Sequence, residues 1–239
     1  MKFDFDIIAT YWPIILQGFG LTVVISIGAF CVALFMGGLI ALMKLSSFPP
    51  LRWIAQIYIE LFRNVPFLIQ IFLAYYMLPF YGLRLPAMTV GILTLGLYVG
   101  AYFAEIVRGA IQSVPRGQLD SAMAVGMSRA QTMRYVIAPQ MLGVLIPPLT
   151  SQTLSMVKET SLLSSITVKE LTMSGLVVQG NTFSPIETFT MVAGLYWAYT
   201  AALSVLARWL ERALQPYRRE RPKAQAGFFK RVLAPAAAR

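Results

Sequence analysis

Residues 7–43 read IIATYWPIILQGFGLTVVISIGAFCVALFMGGLIALM, a stretch without Asp, Glu, Lys or Arg. A transmembrane helix needs about 20 consecutive apolar residues, so this stretch is long enough to cross a bilayer. It is too long for the apolar region of a secretory signal, and Asp4 and Asp6 precede it where a signal carries basic residues. We therefore expect it to be retained as a membrane span.

The rest of the 239-residue chain repeats this pattern of long stretches without charge. Hydrophobic residues make up 57% of the chain and charged residues 13%, whereas soluble domains are about 25% charged. This balance excludes a soluble globular enzyme. We predict an all-α membrane protein with five transmembrane helices, at about residues 12–43, 55–81, 86–110, 135–157 and 187–210.

The basic residues predict the orientation of these spans. Lys and Arg are concentrated after the first span, after the third span and in the C-terminal segment, and such segments stay in the cytoplasm. We therefore predict a transmembrane domain over residues 1–214 with its N-terminus outside and its C-terminus cytoplasmic. Residues 215–239 would form a basic cytoplasmic tail that contacts anionic lipid headgroups rather than nucleic acid.

The residue inventory excludes several kinds of catalytic site. The chain has no histidine and a single cysteine, Cys31, so His-ligated metals, Ser-His-Asp catalysis and an intramolecular disulfide are impossible. The dipeptide Gly-Lys does not occur, so there is no phosphate-binding P-loop. We expect no catalytic residue, no metal and no cofactor in this chain, and energy for uphill work would have to come from another chain.

The loop between predicted spans three and four, at about residues 115–134, carries signals for a helix, a turn and a second helix. Residues 118–125 are helix formers, with Asp120 predicted in the first turn, where a negative charge suits the helix dipole. Gly126 would end this helix, and Ser128 with Gln131 would form a capping box that opens the next one. Small residues give this protrusion a smooth surface that a partner's backbone can approach.

Three functions fit these features. The first is a transporter subunit that relies on a separate ATPase, and the second is a membrane anchor that docks a cytoplasmic partner through this loop. The third is a self-contained channel or ion-coupled carrier, which would need acids deep in several spans or an inverted repeat. Neither of those two features is evident in the sequence.

Four sequence blocks carry a resemblance to a known family. Residues 118–126 read QLDSAMAVG and are followed, after twelve residues, by Pro139-Gln140. This pattern resembles the Glu-Ala-Ala loop of ABC importer permeases, with the signature glycine at Gly126. Residues 60–66, 100–109 and 158–162 are similar to blocks of the polar amino acid permeases. The loop departs from the family pattern in having Asp120 in place of glutamate, followed by Ser121 in place of alanine.

The resemblance implies a multi-pass subunit of the bacterial plasma (inner) membrane that is not itself an enzyme. Its implied partners are ABC ATPase subunits that bind the ATP, a second permease subunit (an identical or a related chain), and an external solute-binding protein that delivers an amino acid. No nucleic acid partner is implied. The residues implied to couple this chain to the ATPase are Gly117, Gln118, Asp120, Ser121, Ala122, Ala124, Gly126 and Ser128.

Two pairs of opposite charges have i,i+3 spacing, which allows pairing on one helix face. Glu60 and Arg63, with Asn64 beside them, are expected to form either an interfacial pair or a gate or subunit contact inside the substrate pathway. Pro66 is expected to kink the helix there. Glu105 and Arg108 are expected to form a structural pair beside the coupling loop.

Four polar residues follow predicted span four: Lys158, Glu159, Thr160 and Ser161. They either begin a solvated short helix, with Thr160 or Ser161 as its cap, or line the outer part of the substrate pathway. The resemblance favours the pathway, because a zwitterionic amino acid needs both signs of charge nearby. In the first span, Gly28 and the pair Gly37-Gly38 are predicted to permit close helix approach.

Overall fold

The computed structural model describes residues 4–214, and all regular secondary structure in this range is helical. The predicted basic tail at 215–239 lies outside the described residues. Three short segments join the α-helices: 3-10 helices at Leu78–Tyr81 and Thr160–Ile166, and a π-helical turn at Met133–Ile137. The α-helices are α1 (Phe5–Leu45), α2 (Pro49–Asn64), α3 (Phe67–Met77), α4 (Ala87–Gln112), α5 (Arg116–Ala124), α6 (Arg129–Thr132), α7 (Ala138–Glu159), α8 (Leu171–Thr182) and α9 (Pro185–Leu214).

Three helices in the described range, α1, α4 and α9, are each long and apolar enough to cross a membrane alone. Two further spans result if two bent helix pairs are each counted as one span, α2 with α3 and the helix ending at Ile166 with α8. The all-helical membrane fold is therefore confirmed, with three to five candidate spans. The orientation of the spans stays a prediction.

Helices α1 and α4 pack side by side and form the centre of the bundle. A Cβ added to Gly37 would lie 2.6 Å from the Cβ of Phe103, and one added to Gly28 would lie 3.1 Å from Ile92. These two glycines permit the close approach, as predicted from the sequence. Gly38 has nothing within 4 Å of an added Cβ, so it makes no close approach to another helix of the described chain, and its place in a contact between subunits stays a prediction.

Predicted span two is divided at Pro66. Proline has no N–H, so the carbonyl of Phe62 loses its helical partner and the helix breaks. The Gln70 Nε2 donates to the Phe62 carbonyl at 2.8 Å and to the Val65 carbonyl at 2.7 Å, which satisfies both groups. The expected kink is confirmed, and predicted span two corresponds to the bent pair of α2 and α3. Helices α2 and α3 meet at 106°, and the 11 residues of α3 extend only about 16 Å.

Predicted span four is part of a longer, bent helical segment. The π-helical turn ends at Ile137, two residues before Pro139, which has no N–H to donate to the preceding turn. Such turns often occur where a helical hydrogen-bond ladder is interrupted. The helix continues from Arg129 to Ile166 and then bends by 51° into α8. At this bend Thr167 has φ +64°, a left-handed conformation that a β-branched residue rarely adopts.

A buried carboxylate holds the bend between the 3-10 helix and α8. Glu170 is fully buried and caps α8: its Oε1 accepts from the Met173 amide at 2.8 Å and its Oε2 from the Thr172 amide at 2.9 Å. The Tyr196 hydroxyl of α9 donates to the same Oε2 at 2.9 Å. Glu170 was not among the residues predicted from the sequence. Its signal was an acid placed directly before a helical stretch, where it can accept the free amides of the first turn.

Candidate functional site

Helix α5, the turn after it and helix α6 form the predicted helix, turn and helix. The Gly126 amide donates to the Met123 carbonyl at 3.0 Å, and the Met127 amide donates to the Ala122 carbonyl at 3.1 Å. This pair of bonds is a Schellman motif, which needs a left-handed residue at the position of Gly126. Gly126 has φ +85°. The predicted glycine turn is therefore confirmed.

The capping box that opens α6 is also confirmed. The Ser128 Oγ accepts from the Gln131 amide at 3.3 Å, and the Gln131 Oε1 accepts from the Ser128 amide at 2.8 Å. The start of the first helix differs from the prediction. Helix α5 begins at Arg116, directly after Pro115, so Asp120 lies in its second turn and the expected first-turn interaction with the helix dipole was wrong.

Most of the predicted coupling residues are exposed. Ala122 is the exception, at 6% exposure, because it packs beneath the turn. Two large apolar side chains that were not predicted from the sequence stand out beside them: Met123 is 47% exposed and Val125 is 78% exposed. Exposed apolar side chains on a protruding turn are typical of a protein contact surface. The exposed predicted residues are Gly117, Gln118, Asp120, Ser121, Ala124, Gly126 and Ser128.

The predicted pair at the end of α4 is confirmed and is bidentate. The Arg108 Nε donates to the Glu105 Oε1 at 3.0 Å, and a terminal guanidinium nitrogen donates to the Oε2 at 2.7 Å. The other terminal nitrogen donates to the Gln112 Oε1 at 2.6 Å. This two-point contact fixes the arginine more firmly than a single bond would. The pair lies in the last turns of α4, directly before the segment that leads to α5.

The Glu105–Arg108 pair forms one wall of a cavity of about 490 Å³, which we call the polar pocket. In the sequence, this pair and the possible gate residues are separate groups, and the structure brings them together. Helix α2 supplies one wall, α4 the other, and the end of α1 closes one side. The polar pocket is lined by Lys44, Gln56, Ile59, Glu60, Arg63, Asn64, Tyr102, Glu105 and Arg108.

Glu60 and Arg63 both face the polar pocket, but they do not form the predicted ion pair with each other. The Glu60 carboxylate accepts from the Gln56 amide one turn earlier on α2, and the Gln56 carbonyl oxygen accepts from the Lys44 ammonium. The Arg63 guanidinium lies over the ring of Tyr102, 5.2 Å from its centre. The i,i+3 prediction was wrong because each charge has a nearer partner outside the pair.

A polar and aromatic stripe runs along one face of α4 away from the polar pocket. Tyr98, Tyr102, Glu105 and Arg108 are spaced four, three and three residues apart, which places them on one helix face. The Tyr98 and Tyr102 hydroxyls are 3.4 Å apart. The ring of Phe67 packs on Tyr98 with centres 4.9 Å apart. The stripe therefore passes along most of the second half of α4.

Two buried acceptors lie near the far end of this stripe. The Glu159 carboxylate lies near the Tyr98 hydroxyl, and Gln70 lies on α3, three residues after Phe67. Within residues 4–214, the Glu159 Oε2 and the Gln70 Oε1 are both buried without a hydrogen-bond donor. Buried polar atoms normally have a partner, because leaving them without one is costly. This end of the stripe is therefore suited to a ligand that carries donor groups.

The other three residues predicted after span four are Lys158, Thr160 and Ser161, and two of them bond within their own helical turn. The Thr160 hydroxyl donates to the Val157 carbonyl at 2.7 Å, and the Ser161 hydroxyl donates to the Lys158 carbonyl at 2.8 Å. The expected N-cap was wrong because α7 continues directly into a 3-10 helix, so there is no free first turn to cap. Thr160 is fully buried, and Lys158 is exposed.

Metal binding has no support in the described part of the chain. Across residues 4–214, no three His, Cys, Asp or Glu side chains lie close enough together to hold a metal ion. The features that carry chemistry are therefore the exposed coupling loop, the polar pocket and the buried acceptors near Tyr98.

Comparison with known proteins places these features in a family. The probable amino-acid ABC transporter permease protein YckA of Bacillus subtilis (strain 168) is 34% identical over 206 residues, which cover 86% of this chain and 91% of YckA. The glutamine transport system permease protein GlnP of Escherichia coli (strain K12) is 34% identical over 217 residues, which cover 90% of this chain and 99% of GlnP.

A solved structure, described as the crystal structure of an amino acid ABC transporter with histidines, has the same fold. Its TM-score is 0.83 at 36% identity, covering 89% of this chain and all of the solved chain. The family described as "Binding-protein-dependent transport system inner membrane component" matches residues 33–216, which include the coupling loop, the polar pocket and Glu159. This chain therefore belongs to the family of inner membrane components of binding-protein-dependent transport systems.

Proposed function

We propose that this chain is the permease subunit of an ABC importer for a polar amino acid. The relatives with 34% identity are named as amino-acid and glutamine permeases, and they match almost over their whole lengths. The subunit is not an enzyme, and ATP is bound and hydrolysed by a separate subunit. A self-contained channel or a membrane anchor does not fit a family of binding-protein-dependent transporters.

The proposed orientation has the N-terminus outside and the coupling loop in the cytoplasm, in the inner membrane of a bacterium. The Asp4 amide donates to the Glu187 Oε1 at 3.1 Å, which joins the N-terminal end of α1 to the start of α9. Both lie at the end of the bundle away from α5 and α6, as an odd number of spans requires. In this orientation the polar pocket lies toward the cytoplasm and Glu159 lies toward the outside.

The single observation that supports the proposed class of cargo is the stripe on α4, with the Glu159 carboxylate near its outer end, where one oxygen has no hydrogen-bond donor. An amino acid has an ammonium group, which supplies the donor that the Glu159 Oε2 lacks. Exposed Lys158 adds a positive charge near the same end for the carboxylate of the cargo. Glu60, Arg63 and Asn64 would line the cytoplasmic part of the same pathway.

The coupling loop is proposed to dock on the ATPase. Its exposed glycine turn, with Met123 and Val125 beside it, offers an apolar surface of the kind that a groove on a partner can bind. Closure of the ATPase dimer on ATP would favour one arrangement of this loop, and so shift the population of membrane states. Asp120 keeps the charge of the family's glutamate with a shorter reach, and Ser121 keeps a small side chain.

The complete assembly would contain two permease subunits, identical or related, two ATPase subunits and an external binding protein. The test is uptake by this assembly in proteoliposomes, with labelled glutamine, glutamate, histidine and arginine as a panel. We expect ATP-dependent uptake of at least one of them, and Glu159→Gln is expected to lower that uptake at least tenfold without loss of assembly.

The matched control is Asp6→Asn, which also removes one carboxylate but at an exposed position far from the stripe. It should transport at the wild-type rate. Uptake by Glu159→Gln at the wild-type rate would contradict the proposed role of Glu159, and failure to transport any of the four amino acids would contradict the proposed cargo class.

A further inference from the structure

The polar pocket has the dimensions of a binding site in its own right. Its volume of about 490 Å³ lies within the range of roughly 300–1,000 Å³ that is usual for small-molecule sites. It does not include Glu159, and Tyr102 and Tyr98 lie between the two locations along α4. The pocket is therefore separate from the buried acceptors, although the same helix face connects them.

The charges in the pocket are incompletely matched. Lys44, Arg63 and Arg108 are positive, and Glu60 and Glu105 are negative. In the described part of the chain, the one ion pair is between Arg108 and Glu105. Glu60 is bound by the neutral Gln56 amide, and Arg63 is held over an uncharged ring. The Glu60 carboxylate, the Arg63 guanidinium and the Lys44 ammonium, which binds the Gln56 side-chain oxygen, thus face the same cavity without an ionic partner. Glu60 and Arg63 lie one helical turn apart.

This arrangement selects among classes of ligand. A metal cation is disfavoured by the three positive side chains, and a phosphate or other polyanion is disfavoured by the two carboxylates. A small molecule that carries one charge of each sign can bind the Glu60 carboxylate and the Arg63 guanidinium at the same time. An arginine side chain suits a carboxylate because its two N–H groups can bind both oxygens, and a glutamate suits an ammonium group.

We infer that the polar pocket is a second binding site for the zwitterionic amino acid, distinct from the Glu159 end of the stripe. Arg63 binds the α-carboxylate and Glu60 binds the α-ammonium group, while Tyr102 and Ile59 contact the side chain of the cargo. The inference rests on the proposed function for the class of cargo and for the orientation. In that orientation the pocket is an exit site, which the cargo occupies before it enters the cytoplasm.

The test is equilibrium binding to the complete transporter in lipid nanodiscs, without binding protein and without ATP. The probe is the tritiated form of whichever amino acid of the uptake panel is transported fastest. Wild type should bind at two sites per permease chain. Arg63→Gln and Glu60→Gln should each weaken one of these sites at least tenfold, and Glu159→Gln should leave that site intact.

Competition by two derivatives of the amino acid gives an independent test of the site. The α-amide of the same amino acid lacks the carboxylate and the N-acetyl derivative lacks the ammonium group, so each should compete for the pocket site at least tenfold more weakly. Arg52→Gln is the matched control, because Arg52 lies on α2, is exposed and does not line the pocket. It should bind like wild type.

Either of two results would overturn the inference: a single site in wild type, or a second site that neither pocket variant weakens. If Arg63→Gln does not assemble, Glu60→Gln and the two derivatives decide the question. A transporter that takes up amino acids but shows no pocket site would refute this inference alone. A transporter that takes up none of the panel would refute the proposed cargo instead.

Discussion

Replacing Gly126 by alanine would test the turn on which the coupling loop depends. Gly126 has φ +85°, and an added Cβ would meet nothing within 4 Å. The cost is therefore in the backbone alone, about 1–2 kcal/mol for a residue with a Cβ in the left-handed region. This free energy lowers the population of the native turn relative to other conformations by a factor of roughly 5–30.

The effect should appear in coupling rather than in membrane insertion. In the conformations in which alanine leaves the left-handed region, the bonds from Gly126 to Met123 and from Met127 to Ala122 cannot both form, so the orientation of α5 relative to α6 is no longer fixed. We expect substrate-stimulated ATP hydrolysis by the complete transporter in proteoliposomes to fall, by at most the same factor of about 5–30. The amount of assembled complex, measured by size-exclusion chromatography, should change little.

Two matched variants show whether the backbone is the cause. Gly109 lies within α4 with open space around it, so Gly109→Ala should stabilise that helix by about 0.5–1 kcal/mol and keep coupling. Gly126→Asn should fall between wild type and Gly126→Ala, because asparagine tolerates the left-handed region. The reasoning is refuted if Gly126→Ala couples as well as Gly109→Ala, or if Gly126→Asn is the more damaging change at this position.

Two further predictions concern stability, measured by thermal unfolding of the purified protein in detergent. Gly37→Ala should lower the free energy of unfolding by about 1–3 kcal/mol, because the added Cβ lies 2.6 Å from Phe103 Cβ and 3.1 Å from the Gly100 carbonyl. Gly38→Ala is the control and should be close to neutral. Equal effects of the two substitutions would contradict the packing of α1 against α4. Thr167→Gly should raise the free energy of unfolding by about 1 kcal/mol, because it relieves a left-handed β-branched residue, and a lower melting temperature would show that the Thr167 side chain is needed.

The features that could be predicted from the sequence depend on residues close together in the chain. Ser128 and Gln131 are three positions apart, and a glycine directly after a short helix is a local signal, so the capping box and the turn at Gly126 were predictable. The Glu105–Arg108 pair was predictable for the same reason. The membrane class followed from composition, because long apolar stretches without charge are typical of helices that cross a bilayer.

The features that were missed depend on packing between distant segments. The break at Pro66 was expected, but its 106° angle depends on Gln70, whose amide binds the two freed carbonyls. Glu60 and Arg63 had the right spacing to pair, yet Gln56 and the ring of Tyr102 are nearer partners.

The stripe on α4 is an intermediate case. The spacing of Tyr98, Tyr102, Glu105 and Arg108 was visible in the sequence and would have predicted one shared helix face. The position of Glu159 near this stripe could not be predicted from the sequence. Glu159 belongs to α7 and comes close to the stripe only when α4 and α7 pack together.

The continuous helical segment from Arg129 to Ile166, which includes the π-helical turn, can transmit motion from one of its ends to the other. From Arg129, next to the capped end of α6, to Glu159 the helix is about 45 Å long. A tilt of about 10° around its midpoint, of the size seen in rigid-body rearrangements, would displace each end by roughly 4 Å. That displacement exceeds the length of a hydrogen bond. A small push on the loop would thus be enough to carry the Glu159 carboxylate toward or away from its cargo, while the helix itself stays intact.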